Sequence, residues 1–499
     1  MRKKVFVVFL AAVMVLCMLA GCRNQKEQQD SRVSSKTDES KSKEVTETVK
    51  EEPVTVTWLV AMEEPKDSGQ VMDDLNQKLV EAINVKLNIE WISDGEYDDR
   101  TKLASTSGED YDIVFTSNWR NSFDDNMARN AFLEISGLID QYGQNIVAGL
   151  QPEFWDVATV RGGIYAIPNQ QIAASQIGFY VQKDLADKYN FTLTHTTTDD
   201  WKDLEPFLDA VLANEKNMYG MNVRQGPGKS LYEALINGMI GIRRDDDPSD
   251  GVEVIWEMNE SWYDYSYLME KGYLHPEWAT GGDMNVPNAN NQFAVIVATG
   301  YPYGDVAVSN TQGEEYMMCL KGEPYFGMAA GKETMLAVNV NSKNPEAAIK
   351  LLNEFWGSEE LFNELLFGLE GIHYNKTGEQ RVEVIEGSDW DVWKEDWAMG
   401  NQFLRWKVPG EEDDAWDLIS EQNRTSKVSP LRGFNLDTTG LQTEIAQVRA
   451  VMAEYDRFYA RDGWEDLIAE RREKMISAGI ETIVAEAQRQ VDEYLANIK

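Results

Sequence analysis

Val54-Thr-Val-Thr-Trp-Leu-Val60 alternates β-branched and bulky side chains, and the chain after it changes period at once. Residues two apart share a face of a pleated strand, so this run predicts a first strand. Over residues 69–83, Val71, Leu75, Leu79, Val80 and Ile83 recur at helical spacing. Residues 85–92 return to a strand pattern, and Asp112-Ile-Val-Phe115 is a short apolar run bounded by Ser117 and Asn118. Strand, helix, strand, helix, strand in that order predicts a parallel α/β sheet.

Further along, Ile164-Tyr-Ala-Ile-Pro168 predicts a strand ended by proline, and Ile177-Gly-Phe-Tyr-Val181 starts a new unit. The polar Asn169-Gln-Gln171 between them marks a first crossing between two lobes. Helices over 201–214 and 230–237, around a strand at Tyr219-Gly-Met-Asn-Val223, build the second α/β lobe. Phe293-Ala-Val-Ile-Val-Ala298 reads as a buried strand returning to the first lobe. Leu336-Ala-Val-Asn-Val340, then a helix over 346–356 opened by Asn344-Pro345, reads as the return to the second. After Asp389 the pattern is mainly helical, over 395–406, 411–422, 441–459 and 480–498, with Gly479 as a helix stop. The expected division is a leader at 1–21, a tether at 22–52, lobe 1 at 53–169 plus 287–335, lobe 2 at 175–286 plus 336–388, and a helical extension at 389–499 packed on lobe 2.

The amino terminus carries Arg2, Lys3 and Lys4, then an apolar run that closes on Leu19-Ala20-Gly21-Cys22. A cationic head and a short apolar core form an export leader, too short for a stable span. Small residues ending directly on a cysteine form a lipobox, which makes Cys22 the acylated first residue of a membrane-tethered mature chain; two acyl chains suffice for stable anchoring. Residues 23–52 hold almost no large apolar side chain and read as a flexible tether. The 499-residue chain exceeds what one core fills, and its net charge of −38 argues against nucleic acid or an anionic membrane face as partner. Of the three cysteines, Cys17 leaves with the leader and Cys22 is acylated, so Cys319 has no partner for an intrachain disulfide.

Several stretches together resemble the family 1 extracellular solute-binding proteins of ABC importers: the lipobox, the tether, Tyr111-Asp-Ile-Val-Phe115, Gly163-Ile-Tyr-Ala-Ile-Pro168 and Asn341-Ser-Lys-Asn-Pro-Glu-Ala-Ala-Ile-Lys-Leu-Leu352. The remainder is similar to a lipoprotein branch with an extra helical carboxyl-terminal domain, through Glu270-Lys-Gly-Tyr-Leu-His-Pro276, Leu369-Glu-Gly-Ile-His-Tyr374, Gly400-Asn-Gln-Phe403 and Gly433-Phe-Asn-Leu-Asp437. The resemblance implies a two-lobed, type II periplasmic-binding-protein-like α/β fold with hinge crossings. It also implies a receptor, not an enzyme, that captures an oligosaccharide between the lobes and passes it, as a monomer, to permease subunits outside the cytoplasm.

A neutral sugar needs flat aromatic platforms for its C–H faces and planar polar groups for its hydroxyl rim. Asn118 and Trp119 follow a strand, Gln170 and Gln171 sit at the crossing, and Tyr301 and Tyr303 follow the run 293–298; the resemblance puts Phe434 in the second lobe's stacking position. Arg224, after the strand ending at Val223, is the charged candidate. Trp390, Trp393 and Trp397 belong either to the cleft or to the core of the extension. Gly228-Lys229-Ser230 lacks the first glycine of a phosphate loop. Asp246-Asp-Pro-Ser-Asp250, with Glu257, reads as a hairpin turn rather than a calcium loop, because Pro248 occupies a ligand position and the following run 252–256 reads as a strand. His195, His275 and His373 are isolated, so neither a metal nor a cofactor is expected. The alternatives left open are a glycoside hydrolase with two carboxylates across the cleft, and a receptor for a peptide or other charged solute.

Overall fold

The computed structural model describes residues 52–192, 201–224, 232–236, 238–244, 251–257, 260–282 and 284–498. The expected leader, Cys22 and nearly all of the tether lie outside them, as do Gly228-Lys229-Ser230 and the acidic run 246–250.

In chain order the strands are β1 (Val54–Ala61), β2 (Val85–Ile92), β3 (Ile113–Thr116), β4 (Thr159–Val160), β5 (Gly163–Ile164), β6 (Ile167–Pro168), β7 (Ala174–Gln182) and β8 (Tyr219–Val223). They continue as β9 (Tyr232–Ile236), β10 (Ile240–Arg243), β11 (Phe293–Gly300), β12 (Tyr316–Phe326), β13 (Met335–Val338), β14 (Tyr374–Gly378), β15 (Arg381–Val384) and β16 (Lys427–Val428). Lobe 1 is built on a sheet of order β2-β1-β3-β13-β6, lobe 2 on one of order β16-β12-β7-β11-β8.

In lobe 1, β1 runs parallel to β2 and β3, as the alternation of strand and helix requires. The helix Ser68–Ile83 turns Val71, Leu75 and Leu79 inward, one stripe at four-residue spacing. Asp112 fixes the third strand: its Oδ2 accepts the Thr57 N–H at 2.8 Å and its Oδ1 accepts the Ser342 hydroxyl at 2.5 Å. The helix Pro345–Gly357 starts on proline, which suits a first turn that lacks amide partners, and buries Ile349, Leu352 and Phe355 in the same core.

Five expectations are corrected by the strand pairing and packing. β11 and β12 pair with β7 in the second sheet, while β13 lies antiparallel to β3 in the first. The apolar run 293–298 therefore belongs to lobe 2, and 336–340 with its following helix to lobe 1, the reverse of the reading from sequence. Tyr232–Ile236, expected as helix, is one arm of the β9–β10 hairpin. Gly238 turns that hairpin at φ 67°, and a Cβ on Gly241 would meet the Glu233 carbonyl oxygen at 2.5 Å. The region 395–406 is not one helix but 3-10 turns at Val392–Ala398 and Gln402–Leu404, separated by Gly400 at φ 135°. A helix at Trp464–Ser477 was not expected, and 252–256 contributes an isolated bridge, Ile255 to Gly241, in place of a strand.

The extension also divides. Trp390, Val392, Met399, Trp406 and Val408 join the lobe 1 core. Leu431, Ile445, Val448, Ile480, Ile483 and Val491 form a third cluster with Met239, Ile240 and Ile242 of the β9–β10 hairpin. Gln488 of the final helix closes that joint by accepting the Val254 N–H at 2.7 Å and donating to the Val252 carbonyl at 2.8 Å. Between these two parts, the helix Ala415–Thr425 leads to β16 at the edge of the second sheet.

Two stretches connect the sheets before that point, 169–173 between β6 and β7 and 327–334 between β12 and β13. Asn423 clamps the first: its Oδ1 accepts the N–H groups of Ala173 and Ala174 at 3.0 and 2.8 Å, and its Nδ2 donates to the Gln171 carbonyl at 2.9 Å. Gln171 Nε2 donates to Thr334 Oγ1 at 2.9 Å, which joins the two crossings. No helix among the described residues is long and apolar enough to cross a membrane.

Candidate functional site: the inter-lobe cavity

The carboxyl ends of β8 and β11, the start of β7 and the far half of β12 meet at one edge of the second sheet, opposite the stretch 393–419. Between them lies a cavity of about 1140 Å³. The second-sheet wall includes Arg224, Thr299, Tyr301, Gln176, Lys321 and Tyr325, with Arg244 and Lys427 beside it. The opposite wall includes Trp393, Trp397, Gln402, Arg405, Trp416 and Ile419, with Gln171 at the crossing.

The aromatic rings are held by their own neighbours. Trp397 stands edge-on to Phe115, ring centres 5.8 Å apart, and Trp393 stacks on Phe367 at 6.0 Å and 17°. Trp416 lies under the Arg405 guanidinium at 4.8 Å and donates its indole N–H to the Arg405 carbonyl at 3.1 Å. Burial pushes the Tyr301 phenol far above the usual tyrosine range, so it remains a protonated donor. Tyr303 adopts a left-handed φ of 59°, uncommon for a bulky residue, and donates to Asp414 Oδ1 at 3.1 Å. Asn310, in the helix Gly304–Gln312, donates to the Pro409 carbonyl at 3.1 Å, so two hydrogen bonds join the second lobe to the stretch 409–414 at the cavity's edge.

Charge on the wall made by 393–419 is internally balanced. Arg405 Nε lies 2.6 Å from Asp396 Oδ2 and its Nη2 lies 2.6 Å from Glu411 Oε1, all three side chains under a tenth exposed. Burial still raises the Asp396 carboxyl above its ordinary value against the pull of Arg405. Glu333, on the second crossing, is pushed up to about 7, chiefly by desolvation. The Gln402 side-chain oxygen, the Trp393 indole nitrogen and Arg244 Nε are buried with no hydrogen-bond partner, an arrangement suited to a polar guest.

Of the residues singled out in the sequence, Gln171, Arg224, Tyr301 and Tyr303 line the cavity. Trp119 stands beside it rather than in it: the ring is 48% exposed, lies 6.1 Å from Trp397 and donates its N–H to the Glu333 carbonyl at 2.8 Å. Asn118 is exposed on the same loop, with its backbone N–H on the Lys332 carbonyl. Gln170 is buried away from the cavity, where its side-chain oxygen accepts the Gln151 N–H at 3.0 Å; it stitches the crossing to its own lobe. Phe434 is also displaced from the cavity, packed in the third cluster with its ring 5.4 Å from Tyr494. The tryptophan group splits: Trp393 and Trp397 line the cavity while Trp390, 1% exposed, seals the lobe 1 core. Among the described residues no group of three or more His, Cys, Asp or Glu is placed to hold a metal ion.

Comparison with known proteins agrees with this architecture. Residues 69–360 match the family described as Bacterial extracellular solute-binding protein, and residues 430–496 match a domain of unknown function, DUF3502. The second match falls on the third cluster. A carbohydrate ABC transporter substrate-binding protein of Streptococcus pneumoniae serotype 4 is 25% identical over 454 residues, 88% of this chain and 90% of that protein. A polygalacturonan/rhamnogalacturonan-binding protein, YtcQ, of Bacillus subtilis is 21% identical over 366 residues, 69% of this chain and 71% of that protein. The crystal structure of the N-glycan transport solute binding protein NgtS from Streptococcus pneumoniae, in complex with Man1GlcNAc, superposes with a TM-score of 0.79 at 22% identity, covering 89% of this chain and 99% of that one.

Proposed function

Because the chain belongs to the bacterial extracellular solute-binding protein family, we propose that it captures an oligosaccharide in the inter-lobe cavity and presents it to the membrane subunits of an ABC importer. The observation that carries this reading is the cavity itself. About 1140 Å³ lies between two α/β lobes, with Trp393, Trp397, Trp416 and Tyr301 on its walls beside Gln171, Gln176 and Gln402. Rings supply platforms for sugar C–H faces, and the amides supply paired donors and acceptors for hydroxyls. The named binding partners of the relatives, a carbohydrate, polygalacturonan or rhamnogalacturonan, and an N-glycan fragment, point the same way.

The site residues of this reading are Gln171, Arg224, Tyr301 and Tyr303, joined by Trp393, Trp397, Gln402 and Trp416. Trp119 is a rim contact for a ligand that extends past Trp397. Binding draws the lobes together about the crossings, and the closed shape is what the permease recognises. The protein works outside the cytoplasm, with Cys22 acylated and residues 23–52 as its tether.

A receptor must release its guest unaltered, and a hydrolase needs two carboxylates free to act. Among the described residues four carboxylates line the cavity, Glu323, Glu333, Asp396 and Glu411, and the last two are occupied by Arg405. The test is a thermal-shift screen of the full chain across oligosaccharides, followed by calorimetry and product analysis. A ligand at about 100 times its dissociation constant adds about 2.7 kcal/mol and raises the midpoint. No shift with any saccharide refutes the reading, and time-dependent shortening of a bound one replaces it with the hydrolase.

A further inference from the structure

We propose that the second-lobe wall of the cavity receives a carboxylate carried by the bound saccharide, so that the preferred ligand is an acidic oligosaccharide. This rests on the reading of the cavity as a sugar site. Three cations from different parts of the lobe converge on that wall: Arg224 after β8, Arg244 after β10 and Lys427 in β16. Against them, among the described residues lining that wall, stands one acid, the exposed Glu323. The chain as a whole carries 85 acidic and 47 basic residues, so a wall drawn from its average composition would have the opposite sign. A neutral sugar gives no reason for that reversal.

The facing wall does not cancel it. Arg405 is balanced by Asp396 and Glu411, and Lys394 lies 3.0 Å from Asp391. Among the described lining residues the excess of cations therefore belongs to the second lobe, and its pull is strongest for a guest already between the walls, where water is displaced.

The geometry of Arg244 fits a planar acid. Its guanidinium carbon lies over the Tyr325 ring, 4.7 Å from the ring centre, and its Nε is buried without a hydrogen-bond partner. Tyr325 is in turn held by its hydroxyl on Glu233 Oε2 at 3.1 Å. Glu233 makes no ion pair with the arginine among the described residues; its carboxylate accepts from Tyr325, Ser429 and the Met328 backbone. Lys427 stands directly across from Tyr325 in the β12–β16 register and donates to the Arg244 carbonyl at 2.9 Å. An ammonium has three donors, so two remain for a guest. A guanidinium fork beside an ammonium is a donor set that a carboxylate accepts bidentately, with a second charge alongside.

The experiment applies the full chain to a panel of neutral, carboxylated, sulfated and phosphorylated oligosaccharides, then titrates the tightest binder by calorimetry against its methyl ester. The expected result is a carboxylated winner that binds at least ~10-fold tighter than its ester, a preference that shrinks between ~50 and ~500 mM salt. Arg244→Gln and Lys427→Gln should each reduce the acid-to-ester ratio severalfold. Arg489→Gln, which removes an exposed charge of the last helix, should leave that ratio as it is. A neutral, sulfated or phosphorylated winner overturns the assignment while leaving sugar capture in place, as does a ratio that survives both substitutions in folded protein. Binding of no saccharide at all overturns both readings.

Discussion

Replacing Arg405 by Met tests whether the wall made by 393–419 is held by its buried charges. The methionine keeps much of the side chain's length and its packing against Trp416 but removes the ion pairs to Asp396 and Glu411 and the Nη1 hydrogen bond to the Trp406 carbonyl at 2.9 Å. All three charged side chains are at most 8% exposed, so water cannot take over the two stranded carboxylates. Removing one partner of such a group costs about 3–5 kcal/mol. At roughly 2 °C per kcal/mol for a large domain, the unfolding midpoint should fall by about 6–10 °C at pH 7. Scanning calorimetry of the full chain reads this directly. Burial already raises the Asp396 carboxyl, and the variant removes the cation that opposes this, so the deficit should shrink as the pH falls and Asp396 takes up a proton. Asp396→Asn with Arg405→Met and Glu411→Gln, which leaves no charge unpaired, should recover most of the loss. A drop of less than about 2 °C, or a triple variant no more stable than the single one, would refute the argument that the network is a buried charge balance.

Trp397→Ala should weaken saccharide binding by about 1–3 kcal/mol in calorimetry, and more than Trp119→Ala, whose ring is anchored at the rim. Glu333→Gln should be stabilising in a manner that depends on pH. The native carboxyl titrates near 7 against an ordinary 4.5, so the wild-type protein has its full share of this stability below about pH 4.5 and loses it as the pH rises through 7. The advantage of the variant in urea unfolding should grow across that window to at most about 3 kcal/mol, and an advantage that is flat with pH contradicts the assignment. Asn423→Ala strands the N–H groups of Ala173 and Ala174 at the first crossing and should cost about 2–3 kcal/mol, read as a lower denaturation midpoint. Cys22→Ser should move the protein from the membrane to the soluble fraction of cells, and continued partition into detergent would contradict the anchor.

The first lobe was legible because its early strands and helix are local patterns. β1, the helix Ser68–Ile83 and β2 fall within a residue of their periodic runs, since one buried face repeats at two or at nearly four residues. What periodicity does not carry is which sheet an apolar strand joins. The runs 293–298 and 336–340 are both short and apolar, and their exchange of lobes follows from hydrogen-bond partners more than a hundred residues away. Tyr232–Ile236 read as a helix because its hairpin partner, β10, is needed to complete the strand pattern. At the site, residues in loops directly after strands were legible: Arg224, Tyr301 and Tyr303 reach the cavity. Arg244, Lys321 and Lys427 were not, because their common feature is an edge assembled from β10, β12 and β16. Phe434 shows the converse, an aromatic whose neighbours Ile445 and Tyr494 lie in helices that cover it.

The contacts between the helix Gly304–Gln312 and the stretch 409–414 have a mechanical consequence. In a pair of jaws, travel grows with distance from the pivot, and Asn423 sits on the pivot while Tyr303–Asp414 and Asn310–Pro409 bridge the gap between one jaw and the strap fixed to the other. Each of those bridges is exposed and worth about 1 kcal/mol. So light a latch breaks readily, and in the proposed closure the clasp sets the resting posture while the guest, gripped on both sides, decides how long it stays shut.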